Sequence, residues 1–183
     1  TNKNVIGTRG PAISLDQGET WSWLGLKAVK GSVFDYRLPQ GADDVRFAFA
    51  IPYLEADLKN FLAPYESNRH LISRQLCTTR QGRVVTRLHI GQLNGRPDHR
   101  ILLSCRHHAC ESSASYVLEG IMAALLADTD EGRCMRRHVE VLAVPFMDKD
   151  GVQGGDQGKN RAPRDHNRDY AGKSVYASTA ALR

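Results

Sequence analysis

The stretch Ile101-Leu102-Leu103-Ser104-Cys105-Arg106-His107-His108-Ala109-Cys110-Glu111 runs from an apolar segment into a polar turn, and the residues on its carboxyl side set the architecture. Over residues 112–127 the apolar side chains Ala114, Val117, Leu118, Ile121, Met122, Leu125 and Leu126 recur three and four apart. That is the period of a helix with one buried face. Residues 139–146 return to an apolar run, interrupted by Glu140. Strand, helix, strand in that order predicts a parallel crossover and so an α/β domain.

Working outward, residues 83–90 form a further predicted strand, divided from 101–105 by the turn Asn94-Gly95-Arg96-Pro97-Asp98. Segments 21–29 and 32–38 are rich in aromatic and β-branched residues, and Gly31 and Pro39-Gln40-Gly41 punctuate them as turns. In 45–51, Val45, Phe47, Phe49 and Ile51 alternate with Arg46, Ala48 and Ala50, which predicts a strand with one buried face. A short helical pattern over 55–62 comes after Pro52, and the Pro-, Ser- and Asn-bearing stretch 63–69 reads as a linker. The expected organisation is a sandwich-like β domain over 1–65, incomplete at its start, and an α/β domain over 66–183. Residues 148–170 turn sharply polar and read as one long loop of the functional kind.

Composition bounds the partners. The chain of 183 residues is 41% hydrophobic and 25% charged, as in ordinary globular proteins. Its net charge of +5 is spread along the chain with no basic stripe interleaved with aromatics, which argues against a nucleic-acid partner. No apolar run approaches the roughly 18 residues of a membrane span, and no secretory signal is visible. The first residue is Thr1, so a leader or another segment removed before it stays open. Cys77, Cys105, Cys110 and Cys134 lack Cys-x-x-Cys spacing, and a reduced, cytoplasmic setting is the simplest reading.

Two constellations can carry chemistry. His108 and Glu111 lie at the carboxyl end of a predicted parallel strand, the edge where open α/β sheets bind ligands. Their His-x-x-Glu spacing lets an imidazole and a carboxylate share one cation, and both are ordinary zinc ligands. Alternatively, Glu111 complements a helix N-terminus and His108 satisfies a backbone group. The second constellation is Asn160-Arg161-Ala162-Pro163-Arg164-Asp165-His166-Asn167-Arg168-Asp169-Tyr170. Arginine forks suit a free carboxylate terminus, and asparagine adds a donor. A surface loop stitched by Arg–Asp pairs is the competing reading.

Taken in order, these motifs resemble the zinc metallocarboxypeptidases, particularly the cytosolic carboxypeptidase branch and its bacterial relatives. A strand runs into His108-x-x-Glu111 and a helix. An apolar strand then leads to Asp148-Lys149-Asp150-Gly151, which matches the family's Asn-Pro-Asp-Gly turn in its last two residues. An arginine-bearing loop ends in Asp165-His166-Asn167-Arg168 and the aromatic Tyr170. Upstream, Phe47-Ala48-Phe49-Ala50-Ile51-Pro52-Tyr53 with Asp57-Leu58 is similar to the end of the small β domain that precedes the peptidase domain in this branch. The resemblance covers roughly residues 45–170.

It implies the first half of a carboxypeptidase-like mixed sheet with flanking helices, and hydrolysis of C-terminal residues from peptides or proteins by a zinc-activated water. His108 and Glu111 become two of three ligands to one zinc ion, and Asn167 and Arg168 the clamp for the substrate's terminal carboxylate. Arg161 becomes the group that polarises the scissile carbonyl, with Arg164 second for that role. The family's third ligand, a histidine, and its glutamate base lie on later strands, so they are expected beyond Arg183. His89, His99, His138 and His166 do not sit where that ligand belongs, and His107 reads as a neighbour of the site. A deacylase of N-acyl amino acids and a noncatalytic carboxylate-binding relative are the alternative functions.

Overall fold

The computed structural model describes residues 6–183, as two compact units divided between Pro52 and Tyr53. In the first, β1 (Ala12–Ser14) lies between β2 (Ser22–Trp23) and β5 (Arg46–Ala48) in an antiparallel sheet. The strands β3 (Val29–Lys30) and β4 (Val33–Phe34) form a separate hairpin. The strand expected over 45–51 is therefore only three residues long, and Phe47 and Phe49 are 42% and 55% exposed rather than buried. Phe47 instead packs against the rings of Phe34 and Tyr36, at 5.0 and 5.6 Å.

The second unit begins at Tyr53, upstream of the boundary expected at 65/66. The reason is packing: Tyr53, and Leu58 of helix α1 (Glu55–Leu62), are buried in the same core as Leu88, Ile90 and Val141. Its sheet holds β6 (Leu71–Thr78), β7 (Val84–Gly91), β8 (His99–Ser104) and β9 (Val139–Val144) in the order β6-β7-β9-β8. Pairs β6/β7 and β7/β9 are antiparallel, while β8 and β9 are parallel with Ile101 opposite Val141. The predicted crossover is thus present, carried by α2 (Ser113–Leu126) and α3 (Asp130–His138). Leu118, Met122, Leu125 and Leu126 of α2 supply the helix side of the core.

Two elements of this unit carry little apolar pattern. The outer strand β6 is mostly exposed, as suits a sheet edge. Helix α3 buries only Gly132 and Arg136, and the Arg136 guanidinium donates to the carbonyls of Leu125 and Ala127, satisfying orphan acceptors at the end of α2. Thr129 caps α3, its Oγ1 accepting from Gly132 N at 3.1 Å. Thr129→Ala is expected to cost about 1 kcal/mol, read as a lower urea midpoint with an unchanged slope.

Backbone pairing continues past the strands. Met147 N donates to Cys105 O at 3.0 Å, and Asp148 N to Arg106 O at 2.9 Å. The segment 148–170, expected as a loop, holds the short helix α4 (Lys149–Gly154) and a single 3-10 turn at His166–Arg168. Asp148 starts α4 by accepting from Gly151 N. A last helix, α5 (Ala177–Leu182), closes the chain.

Candidate metal-binding and carboxylate-binding site

The loop after β8 is shaped from inside by Arg106. This residue adopts φ +63°, is 4% exposed, and curls its guanidinium back beneath the loop. Nε and a terminal nitrogen donate to Ala109 O at 2.9 and 2.5 Å, while the other donates to Tyr53 O and Ser115 Oγ at 2.8 and 2.9 Å. The same group lies over the Phe146 ring. A buried cation with no carboxylate beside it is held by carbonyl and hydroxyl dipoles alone, and this burial lowers its pKa.

His108 and Glu111 face one another on the outer side of that loop, joined by a turn in which Glu111 N donates to His108 O. His108 Nδ1 is 3.0 Å from Glu111 Oε1, and its Nε2 is 3.1 Å from Asp165 Oδ2. Burial acts to lower the His108 pKa, but the hydrogen bonds to Glu111 and Asp165 outweigh it and raise it. As a cation the ring donates to both carboxylates. As a neutral ring protonated at Nε2, it turns the Nδ1 lone pair into the space that Glu111 Oε1 also faces. Two donor atoms then converge, with Asp165 fixing the tautomer, and this arrangement fits a divalent metal. Among the described residues no three His, Cys, Asp or Glu side chains are grouped to hold a metal ion. The chain supplies two donors and an orienting carboxylate.

Asn167 joins this group, its Nδ2 placed 3.1 Å from His108 Nε2; a ring protonated at Nε2 would take the flipped amide, with the oxygen in that place. Arg168 is exposed; its backbone N donates to Asp165 O at 2.9 Å and its charge helps lower the Asp165 pKa, while its guanidinium makes no hydrogen bond or ion pair among the described residues and so leaves its fork open to a ligand. His107 meets the Tyr170 hydroxyl at 2.6 Å beside the pair. Burial, with the nearby His166 and His108, lowers the His107 pKa.

Arg161 is placed differently. Its guanidinium binds the buried Asp148 carboxylate at 2.6 Å and Asp156 at 2.8 Å, and it makes no hydrogen bond or ion pair with His108 or Glu111. Gly151 makes that pairing possible, since a Cβ there would fall 2.1 Å from an Arg161 nitrogen. Arg161, Asp148, His166 and Tyr176 line a polar cavity of about 150 Å³, with His166 stacked on Tyr176 at 3.8 Å. Arg164 is occupied by Asp169 and by the carbonyls of Ala171 and Lys173. Of the other histidines, His89 pairs with Glu140, His138 pairs with Asp98, and His99 opens β8 at the end away from His108.

The chain is 28% identical over 142 residues to cytosolic carboxypeptidase 3 of Mus musculus, a match covering 74% of this chain and 14% of that protein. It superposes on the metallo-carboxypeptidase of Burkholderia cenocepacia with a TM-score of 0.78 at 21% identity, over 98% of this chain and 51% of that one. In sequence these residues are similar to the cytosolic carboxypeptidases, and their fold is that of the metallo-carboxypeptidases. The metallo-carboxypeptidase of Pseudomonas aeruginosa, solved with (2-guanidinoethylmercapto)succinic acid, superposes with a TM-score of 0.75 at 21% identity, covering 97% of this chain and 47% of that one. No protein-family model matches the chain. The chain thus spans about half of these solved metallocarboxypeptidases and a seventh of the mouse relative.

The residues that the sequence reading left without a role are Asp165 and Arg106. Asp165 stands inside the quoted Asp-x-Asn-Arg motif, so its type was visible. Only the fold shows that it reaches 57 positions back to His108.

Proposed function

We propose that these residues are the His-x-x-Glu and carboxylate-clamp portion of a zinc-dependent carboxypeptidase that removes C-terminal residues from peptides or proteins. The observation that carries this reading is the placement of His108 between Asp165 and Glu111, with Asn167 against the same ring. His108 and Glu111 would hold one zinc ion. Bound zinc supplies Lewis acidity and brings a water's pKa to about 7. The reading also requires a third ligand and a general base besides these two donors.

The chain's own residues orient and bind. Asp165 keeps the His108 proton on Nε2. Asn167 and Arg168 receive the substrate's terminal carboxylate, Arg168 through the fork left open to solvent. Arg161 serves the scissile carbonyl, a role that requires it to leave Asp148 or Asp156 when substrate arrives. The four free cysteines and the relatives' designation as cytosolic support a cytoplasmic setting. No helix among the described residues is long and apolar enough to cross a membrane.

Turnover by the natural-length, zinc-loaded protein tests the reading. A peptide with a free C-terminal carboxylate is expected to be shortened, and its C-terminal amide and an N-acyl amino acid are expected to resist. Cleavage of the N-acyl amino acid alone would establish a deacylase instead. Asp165→Asn is expected to weaken zinc about 10- to 100-fold, as removal of an orienting carboxylate does. Chelator competition reads the affinity, and equal affinity in the variant removes Asp165 from the site.

A further inference from the structure

Segment 155–160 crosses the His108 loop and meets it largely through backbone. Gly158 has φ +91°, and a Cβ there would lie 2.5 Å from Ala109 N and 3.1 Å from His108 Cα. On one side of it, Gln157 O accepts from Cys110 N at 3.3 Å. On the other, the Lys159 ammonium stands 3.7 Å from Glu111 Oε1, the oxygen that also faces His108 Nδ1. Three consecutive residues therefore touch the loop's main chain and its carboxylate. The segment is itself anchored, since Asp156 N donates to Gly151 O at 2.8 Å and the Asp156 carboxylate receives Arg161.

We infer that Gly158 is a positioning residue for the metal-binding pair. With no side chain, it lets residues 157–159 close onto 108–110 and so fixes the directions of His108 Nδ1 and Glu111 Oε1. A methyl group at 158 fits only if that loop moves outward, because the atoms it meets are backbone. The inference rests on the reading that His108 and Glu111 bind zinc. Gly155 provides an internal control. Its φ is +72°, so alanine strains the backbone there too, yet nothing lies within 4 Å of a Cβ at that position.

The test compares Gly158→Ala and Gly155→Ala in the natural-length protein, with zinc and cobalt(II) as probes and amide exchange measured without metal. Gly158→Ala is expected to weaken zinc about 10- to 100-fold, to shift the visible bands of bound cobalt(II), and to speed exchange at Ala109 and Cys110. Gly155→Ala is expected to leave all three unchanged. Wild-type zinc affinity and cobalt spectrum in Gly158→Ala overturn the inference, as does an equal effect of the two variants. Absence of metal binding by the wild type defeats the proposed function instead. The brace is then decided by exchange alone: faster at Ala109 and Cys110 in Gly158→Ala than in Gly155→Ala upholds it, and equal rates overturn it. Should Gly158→Ala not fold, zinc added to the wild type is expected to slow exchange over both 107–111 and 156–160. Slowing confined to 107–111 overturns the inference.

Discussion

Asp169→Ala is expected to lower stability by roughly 3–5 kcal/mol, the cost of opening a buried charged network by removing one partner. Asp169 is 0% exposed, and its carboxylate gathers the end of the chain. Both oxygens accept from Val175 N at 2.9 Å, and one also accepts from Tyr176 N at 3.0 Å and from the Thr179 hydroxyl. Arg164 donates to the other at 3.2 Å. Alanine would leave these donors buried and unpaired. Burial pushes the Asp169 pKa up, but the bonds from Thr179, Tyr176 and Val175 outweigh it and hold the pKa below the ordinary aspartate range. A depressed carboxylate pKa adds stability that is fully present above the unfolded value and is lost as pH falls through the folded one. The gap between wild type and Asp169→Ala in urea unfolding is therefore expected to be full at neutral pH and to shrink on acidification. A gap that stays constant or widens in acid would contradict this assignment.

Arg106→Leu is expected to have an effect of similar size, about 3 kcal/mol or more, because it strands several buried acceptors at once. Ala109 O and Tyr53 O would lose their charged donor, and the loop carrying His108 would lose its internal strut. Leucine keeps apolar contact with Phe146 but satisfies no carbonyl. Arg106→Lys is expected to recover little, since a single ammonium cannot reproduce a planar fork that reaches three partners. Thermal melting reads the stability loss, and zinc competition reads the displacement of His108. A stable Arg106→Leu protein with wild-type zinc affinity would show that the loop holds its shape without the strut.

How much was legible depended on whether a residue's partner lay nearby in sequence. The crossover could be read because α2 repeats its apolar residues at the helical period and β9 is an almost unbroken apolar run, and both are inside the core. Strand β6 and helix α3 left no such signal: one is an exposed edge, and the other is fixed by a cap and by Arg136. The strand at 45–51 misled because alternation shows which side chains share a face, not that something covers the face. At the site, His108 and Glu111 were visible as neighbours one turn apart. Asp165 and Gly158 were not, since their roles are contacts made across some 50 residues of intervening chain. Arg161 shows the reverse case. Its motif drew attention to it, while its ion pairs with Asp148 and Asp156 became visible only in three dimensions.

The central claim is that His108 and Glu111 form a metal-binding pair at the carboxyl end of β8. Zinc content of the natural-length protein after dialysis, measured by elemental mass spectrometry beside His108→Ala, tests it most directly. One zinc per wild-type chain and its loss from a folded His108→Ala is the predicted result. Zinc retained at the wild-type level in His108→Ala, or none taken up by the wild type, would contradict it.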